Sequence, residues 1–270
     1  MTTTDTIDLN KYKFIFRTVQ SNAIRTLTEA LKEILTDVNL EINGEGIKLI
    51  AMDSSQVSLI HMKLLAKNFE QFHCEEPVTC GISVIRLFKL LKSMSPSDSL
   101  CMFILKTEPN DLQIYIETNE KGTRHKFSLK LMDLCTDKIE IPDATFSSVL
   151  RIPSGDFQKL CRDMNNLVDD IEIKSSGNQL IFTISNDWMS QQTIMQESNN
   201  NCSIEYIQNL SPDEVIQGVF SLKKMVLFTK CTNLCQNIEI YIKNDYPIVI
   251  KYHVANLGEV KFCLAPKTNY

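Results

Sequence analysis

The sequence predicts an α+β protein of two similar domains, each with two helices packed on antiparallel sheets. Three observations predict it. The chain has 270 residues, room for two domains at roughly 100–200 residues each. A shift of 133 positions aligns Leu27, Leu31, Ile34, Leu35, Val38, Leu40, Gly44 and Ile47 with Leu160, Met164, Leu167, Val168, Ile171, Ile173, Gly177 and Leu180 without a gap. Along that span helical spacing gives way to strand alternation, and it does so twice.

The elements follow in order. Each half opens with an amphipathic helix that passes into a hairpin, V-N-L-E-I-N-G in the first and I-E-I-K-S-S-G in the second. Gly81-Ile82 and Gly218-Val219 are expected to start a second helix in each half, within residues 82–94 and 219–232. Ile85, Phe88 and Leu91 supply the apolar stripe of one, and Leu222 and Met225 begin that of the other. Strand Leu112-Gln-Ile-Tyr-Ile-Glu then matches Ile238-Glu-Ile-Tyr-Ile-Lys, and Lys126-Phe-Ser-Leu matches Lys261-Phe-Cys-Leu. Residues 129–143 are the natural connector between the halves. They carry Leu131, Met132, Leu134, Ile139 and Ile141 among their charges. An apolar tether doubles as a binding ledge. Ser154 reads as an N-cap for a helix starting near Gly155, and Asp53-Ser54-Ser55 as a turn.

Composition excludes several classes. No stretch approaches the ~20 apolar residues of a membrane span, so no membrane partner is expected. The polar start, Met1-Thr-Thr-Thr-Asp, lacks an apolar signal core. Nine scattered cysteines suit a reducing compartment. The net charge is −5, yet windows 82–94 and 219–232 contain no acid. The first holds Arg86, Lys89 and Lys92, the second Lys223, Lys224 and Lys230. Solvated helix faces usually mix Glu with Lys, so two acid-free cationic helices on an acidic protein point to a polyanion-facing surface.

Residues for chemistry are scarce. There is no Gly-rich phosphate loop, and Cys231-Thr-Asn-Leu-Cys235 has the wrong spacing for a zinc knuckle. His61, His73, His125 and His253 fall in different predicted strands. No cofactor is implied, and nothing marks a catalytic group.

Four segments carry a family resemblance. Leu49-Ile-Ala-Met-Asp-Ser-Ser-Gln-Val-Ser-Leu59, Lys130-Leu-Met-Asp-Leu134, Ile152-Pro-Ser-Gly-Asp-Phe157 with Cys161-Arg-Asp163, and Leu264-Ala-Pro-Lys267 are similar to signature segments of proliferating cell nuclear antigen, the eukaryotic sliding clamp. The likeness runs from about Tyr12 to Lys267. Residues 1–11 have no counterpart and are expected to be a flexible extension, leaving domains at 12–128 and 144–270.

The resemblance implies a closed ring of three copies around double-stranded DNA, helices lining the hole and sheets outside. The DNA-facing residues it implies are Arg25, Lys32, Lys89, Lys92, Lys159, Arg162, Lys223 and Lys230; it leaves the direction of Arg86 and Lys224 open. Thr26 and Asn166 stand where the family often has a basic residue and a His. Copies would pair the strand near Arg124–Ser128 with the strand near Trp188–Met195. Trp188, the lone tryptophan, fits an interface, the core or plain surface.

A partner pocket is implied at Met52, Val57, Leu59, Ile139, Ile141, Pro247, Leu264, Ala265 and Pro266. It would take short helical-turn peptides of polymerase, ligase, flap nuclease and clamp loader. Gln56 and Cys263 replace the His and Tyr often seen there, which implies a changed motif preference. The location implied is a nucleus, or a cytoplasmic site of viral replication. The alternatives are a subunit of a heterotrimeric checkpoint-type clamp, or an enzyme with a Cys-based site.

Overall fold

In the computed structural model the described residues are 8–118, 122–135, 139–141, 144–197, 204–209 and 214–267. The two halves repeat one element order. The first is β1 (Tyr12–Thr18), α1 (Ser21–Leu31), β2 (Asp37–Asn43), β3 (Gly46–Met52), β4 (Ser58–Leu65), β5 (Gln71–Cys74), β6 (Val78–Ser83), α2 (Val84–Leu91), β7 (Ser99–Leu105), β8 (Glu108–Thr118) and β9 (Thr123–Lys130). The second is β10 (Ser148–Pro153), α3 (Ser154–Asn165), β11 (Asp170–Ser176), β12 (Gln179–Ser185), β13 (Ser190–Gln196), β14 (Glu205–Asn209), β15 (Ile216–Ser221), α4 (Leu222–Phe228), β16 (Asn237–Ile242), β17 (Ile248–Val254) and β18 (Gly258–Leu264). A 3-10 helix, Thr229–Leu234, extends α4. The duplication expected from the sequence is therefore complete, strand for strand, but one expected match is corrected: Leu112–Glu117 lies in β8, whose counterpart is β17, whereas the matched Ile238–Ile242 lies in β16, the counterpart of β7.

Each half contributes a five-stranded and a four-stranded sheet. The five-stranded orders are β5-β1-β7-β8-β9 and β14-β10-β16-β17-β18, and the four-stranded orders are β4-β3-β2-β6 and β13-β12-β11-β15. β18 pairs antiparallel with β4, from Gly258↔Leu64 to Leu264↔Ser58, and fuses two of these into one nine-stranded sheet. That sheet joins the halves. Its helix-side residues form the core: Phe262, Tyr252, Ile250, Ile60 and Leu49 are all buried, and the Phe228 ring of α4 stacks on Phe262 at 4.9 Å.

The four helices form one continuous row. α2 packs on α1, α1 on the 3-10 helix Thr229–Leu234, and that helix with α4 on α3. In α2 the buried stripe is Val84, Leu87 and Leu91, while Ile85 is 40% exposed. The expected stripe begins one residue too late because a run of apolar residues offers two helical frames, and contact with β2 and β6 chose between them.

Three further expectations are corrected. Gly81 and Gly218 sit inside β6 and β15, not at helix starts. A Cβ on Gly81 would lie 2.1 Å from the Met132 carbonyl, because the connector bridges to this strand (Met132 N–H to Gly81 O, 2.8 Å). Ser154 does not cap α3: its hydroxyl donates to the carbonyls of Cys235 and Gln236 at 2.5 and 2.8 Å. Within the expected N-terminal extension, Leu9–Lys11 form a 3-10 helix capped by Asp8. β9 runs to Lys130, past the expected boundary at 128, because its ladder with β8 continues to Asp111↔Lys130.

Candidate functional site

Two surfaces lie on opposite sides of the nine-stranded sheet. The first is the helix row. Each helix buries its apolar residues toward the strands, so side chains at the remaining positions point away from them. Lys89 and Lys92 do so opposite Leu87 and Leu91, and Lys159 and Arg162 opposite Leu160, Cys161 and Met164. Lys223 does so opposite Leu222 and Met225, and Lys230 opposite Cys231. These six cations and Arg86 are exposed, and none makes an ion pair among the described residues. Asp156 and Asp163 share the exposed face of α3.

Arg25 and Lys32 differ from the other six. Both are half-buried. Arg25 donates to Asn22 Oδ1 at 2.9 Å. Lys32 pairs with Glu33 and lies 4.8 Å from the Phe88 ring centroid, at the contact of α1 with α2. The hydrogen bond from Lys32 holds the Glu33 carboxyl below its ordinary range. Lys224, whose direction the resemblance left open, turns inward to Asp53.

The second surface is a cavity of about 590 Å³ on the sheet's other face. Its floor is one transverse row across five strands. Cross-strand pairs run Tyr241↔Val249, Val249↔Cys263, Cys263↔Leu59 and Leu59↔Met52. Alternation puts every second residue of a strand on one face. The next row, Lys251, Lys261 and His61, therefore shares it, and Lys261 and His61 reach the cavity. Glu140 and Ile141 of the connector close one side, and Pro247 and Ala265 line others. Phe146, Tyr241 and Tyr246 form an aromatic wall, with Phe146 edge-to-face on both tyrosines at 5.3 and 5.6 Å. Met52, Val57 and Ile141 are 38–40% exposed at the mouth, an apolar patch of the kind that binds a partner.

Of the nine expected pocket residues, Met52, Val57, Leu59, Ile141, Pro247 and Ala265 line the cavity. Leu264 does not. It is fully buried on the helix side, because its neighbour Cys263 takes the outward position. Pro266 lines a neighbouring polar cleft with Asn244 and Asp245 instead, and Ile139 stands outside the lining. Sequence reasoning missed Phe146, Tyr241, Tyr246, Val249, His61 and Lys261. The period-2 pattern of β4, β16, β17 and β18 marked the outward positions of His61, Tyr241, Val249 and Lys261, but the pairing that unites them is long-range, and Phe146 and Tyr246 lie in loops that no period marks.

The turn at the mouth, between β3 and β4, is held by a buried carboxylate. Asp53 is 4% exposed. Burial alone would raise its pKa; the Lys224 ammonium, the Ser55 hydroxyl and the Ser58 N–H outweigh that and hold it down to about 2. A depressed carboxylate stabilises the fold fully above its unfolded value near 3.8 and ceases to do so as pH falls through the folded value. The contribution is on the order of 2 kcal/mol. Asp53→Asn is therefore expected to remove part of the fall in urea midpoint between about pH 4 and about pH 2, measured against the parent protein.

Catalytic chemistry finds little here. Burial pushes the Cys80 thiol up to about 12 and those of Cys101 and Cys263 to about 11, and it raises Cys161 and Cys231 as well. Such thiols are poor nucleophiles. Among the described residues no three His, Cys, Asp or Glu side chains gather to hold a metal ion, and no helix is long and apolar enough to cross a membrane.

Residues 14–139 match the family model described as Proliferating cell nuclear antigen, N-terminal domain, and residues 140–267 match the one described as its C-terminal domain. The chain is also 35% identical over 264 residues to a protein of Paramecium bursaria Chlorella virus 1, "Probable DNA polymerase sliding clamp 1". That alignment covers 96% of this chain and 99% of the viral protein.

Proposed function

Because the chain belongs to the proliferating cell nuclear antigen family and is a DNA sliding clamp, a processivity factor of DNA replication, we propose that it works as a closed ring of three identical copies threaded by duplex DNA. The observation that carries this reading is the chain's own internal junction. β9 and β18 are equivalent strands, and so are β4 and β13. Within one copy β18 and β4 are paired, whereas β9 and β13 end their sheets with no outer partner among the described residues. A head-to-tail contact that repeats the internal one satisfies both open edges, and repeating a single step generates a ring when its rotation closes.

The internal register also transfers. Matching β9 to β18 through β8 and β17, and β13 to β4 through β12 and β3, opposes Arg124 to Ile194, His125 to Thr193 and Phe127 to Gln191. Trp188, 75% exposed in the single copy, then falls beside Lys130 of the next one.

The helix row faces the DNA. Unpaired lysines on flexible stems meet phosphates without reading bases, and such contacts screen and exchange readily in salt, which permits sliding. Encirclement, not affinity, then retains the ring. The pocket takes short peptides of polymerase, ligase, flap nuclease and clamp loader, with an aliphatic anchor on the Met52–Leu59–Val249 floor and an aromatic one against Phe146 and Tyr246. The protein has no catalytic activity of its own and acts at a site of DNA replication, nuclear or viral.

The test is native mass by light scattering, followed by retention on plasmid after loading by a clamp loader. Three chain masses are expected, with retention on nicked circles and loss on linearised plasmid. A single-chain mass that rises only with two different partner proteins would favour the heterotrimeric reading. Equal retention on circles and linear DNA would overturn encirclement.

A further inference from the structure

We propose that Lys224 is a positioning residue for the partner pocket, holding one rim of it from the opposite half of the chain; this rests on the pocket reading above. The rim is the turn from Asp53 to Val57, which presents Met52, Gln56 and Val57 to the cavity. Gln56 adopts φ +56°, a left-handed conformation that a non-glycine residue keeps only when its surroundings hold it. The Asp53 carboxylate supplies that hold. Its Oδ1 accepts the N–H groups of Val57 and Ser58 at 3.0 and 2.9 Å, and its Oδ2 accepts the Ser55 hydroxyl at 2.6 Å. The Val57 carbonyl in turn accepts the N–H of Ala265 at 3.1 Å, so the turn is tied to the C-terminal wall of the cavity.

A buried carboxylate needs a countercharge. Among the described residues the cation within ion-pair distance of Asp53 is Lys224, its Nζ 2.5 Å from Oδ2 and 3.0 Å from the Ser55 hydroxyl. Lys224 belongs to α4 in the second half, and Asp53 to the first. Its side chain is 26% exposed, whereas Lys223 beside it is exposed on the helix row. Adjacent lysines on one helix thus serve opposite faces of the molecule. Removing the Lys224 ammonium leaves the carboxylate buried and unpaired, and the turn must open toward water to relieve it.

The experiment compares the full chain with Lys224→Met and Lys224→Arg. Affinity is read with a fluorescein-labelled peptide bearing an aliphatic and an aromatic anchor one helical turn apart. Amide exchange at Val57 and Ser58 and native mass are read in parallel. Lys224→Met is expected to weaken the peptide about tenfold and to speed exchange at both amides at unchanged native mass, and Lys224→Arg to restore both. Unaltered affinity with unaltered exchange in Lys224→Met overturns the proposal, and so does Lys224→Arg as weak as Lys224→Met. If the peptide does not bind the parent protein, the pocket reading fails and exchange alone decides. Faster exchange reversed by arginine upholds the positioning role, and unchanged exchange removes it.

Discussion

Reversing Lys89, Lys159 and Lys223 to Glu together is expected to abolish loading onto closed DNA circles while native mass and thermal midpoint stay near those of the parent. The three residues stand on three different helices of one row, all exposed and none ion-paired among the described residues. Their removal therefore breaks no internal ion pair, and surface changes of this kind usually move stability by less than about 0.5 kcal/mol. Their charges act on phosphates, where each neutralised phosphate contributes roughly 0.9 to the slope of log affinity against log salt. Reversal replaces attraction by repulsion at every copy of the ring. A single Lys89→Gln is the graded form, expected to lower the salt slope by about 1 for each phosphate no longer neutralised, alike on all sequences. Unchanged loading by the triple variant would mean that the helix row does not face the duplex.

Ile194→Lys is the second large effect. Ile194 is 53% exposed on the open edge of β13, and the transposed register sets it opposite Arg124 of the next copy. Like charges set directly opposite on a strand pair destabilise it by about 0.2–1 kcal/mol, and the effect repeats at every junction of the assembly. The variant is expected to remain folded and to run at one chain mass at concentrations where the parent runs at three. Emission from Trp188, the only tryptophan in the chain, is expected to shift to longer wavelength once the adjoining copy no longer covers it. Adding Arg124→Glu, which also gives up the ion pair of Arg124 with Glu117, is expected to restore the assembled mass in part. Assembly undisturbed by Ile194→Lys would sink the edge-to-edge ring.

Much of this was legible in the residues. Duplication was visible because both halves needed the same alternation of helix and strand, and an amphipathic period survives divergence in identity. The cationic helices were visible because charge on an exposed face answers to solvent and partner, not to packing. The pocket was half visible. Met52, Val57 and Leu59 lie in one continuous signature segment, whereas Tyr241, Val249 and His61 join them only through strand pairings far apart in sequence. Leu264 was misread because one step along a strand reverses the face, and β18 fixed that parity by pairing Cys263 with Leu59.

Residue order was enough for the two-domain α+β plan, the positions of the helices to within about four residues, and two acid-free cationic helices on an acidic chain. These are short-range properties, set by periodicity and by which side chains tolerate water. Which amines are free was left to the folded chain. Lys223 and Lys224 are neighbours with the same chemistry, and only the fold, by burying Asp53 within reach of one of them, gives them different work.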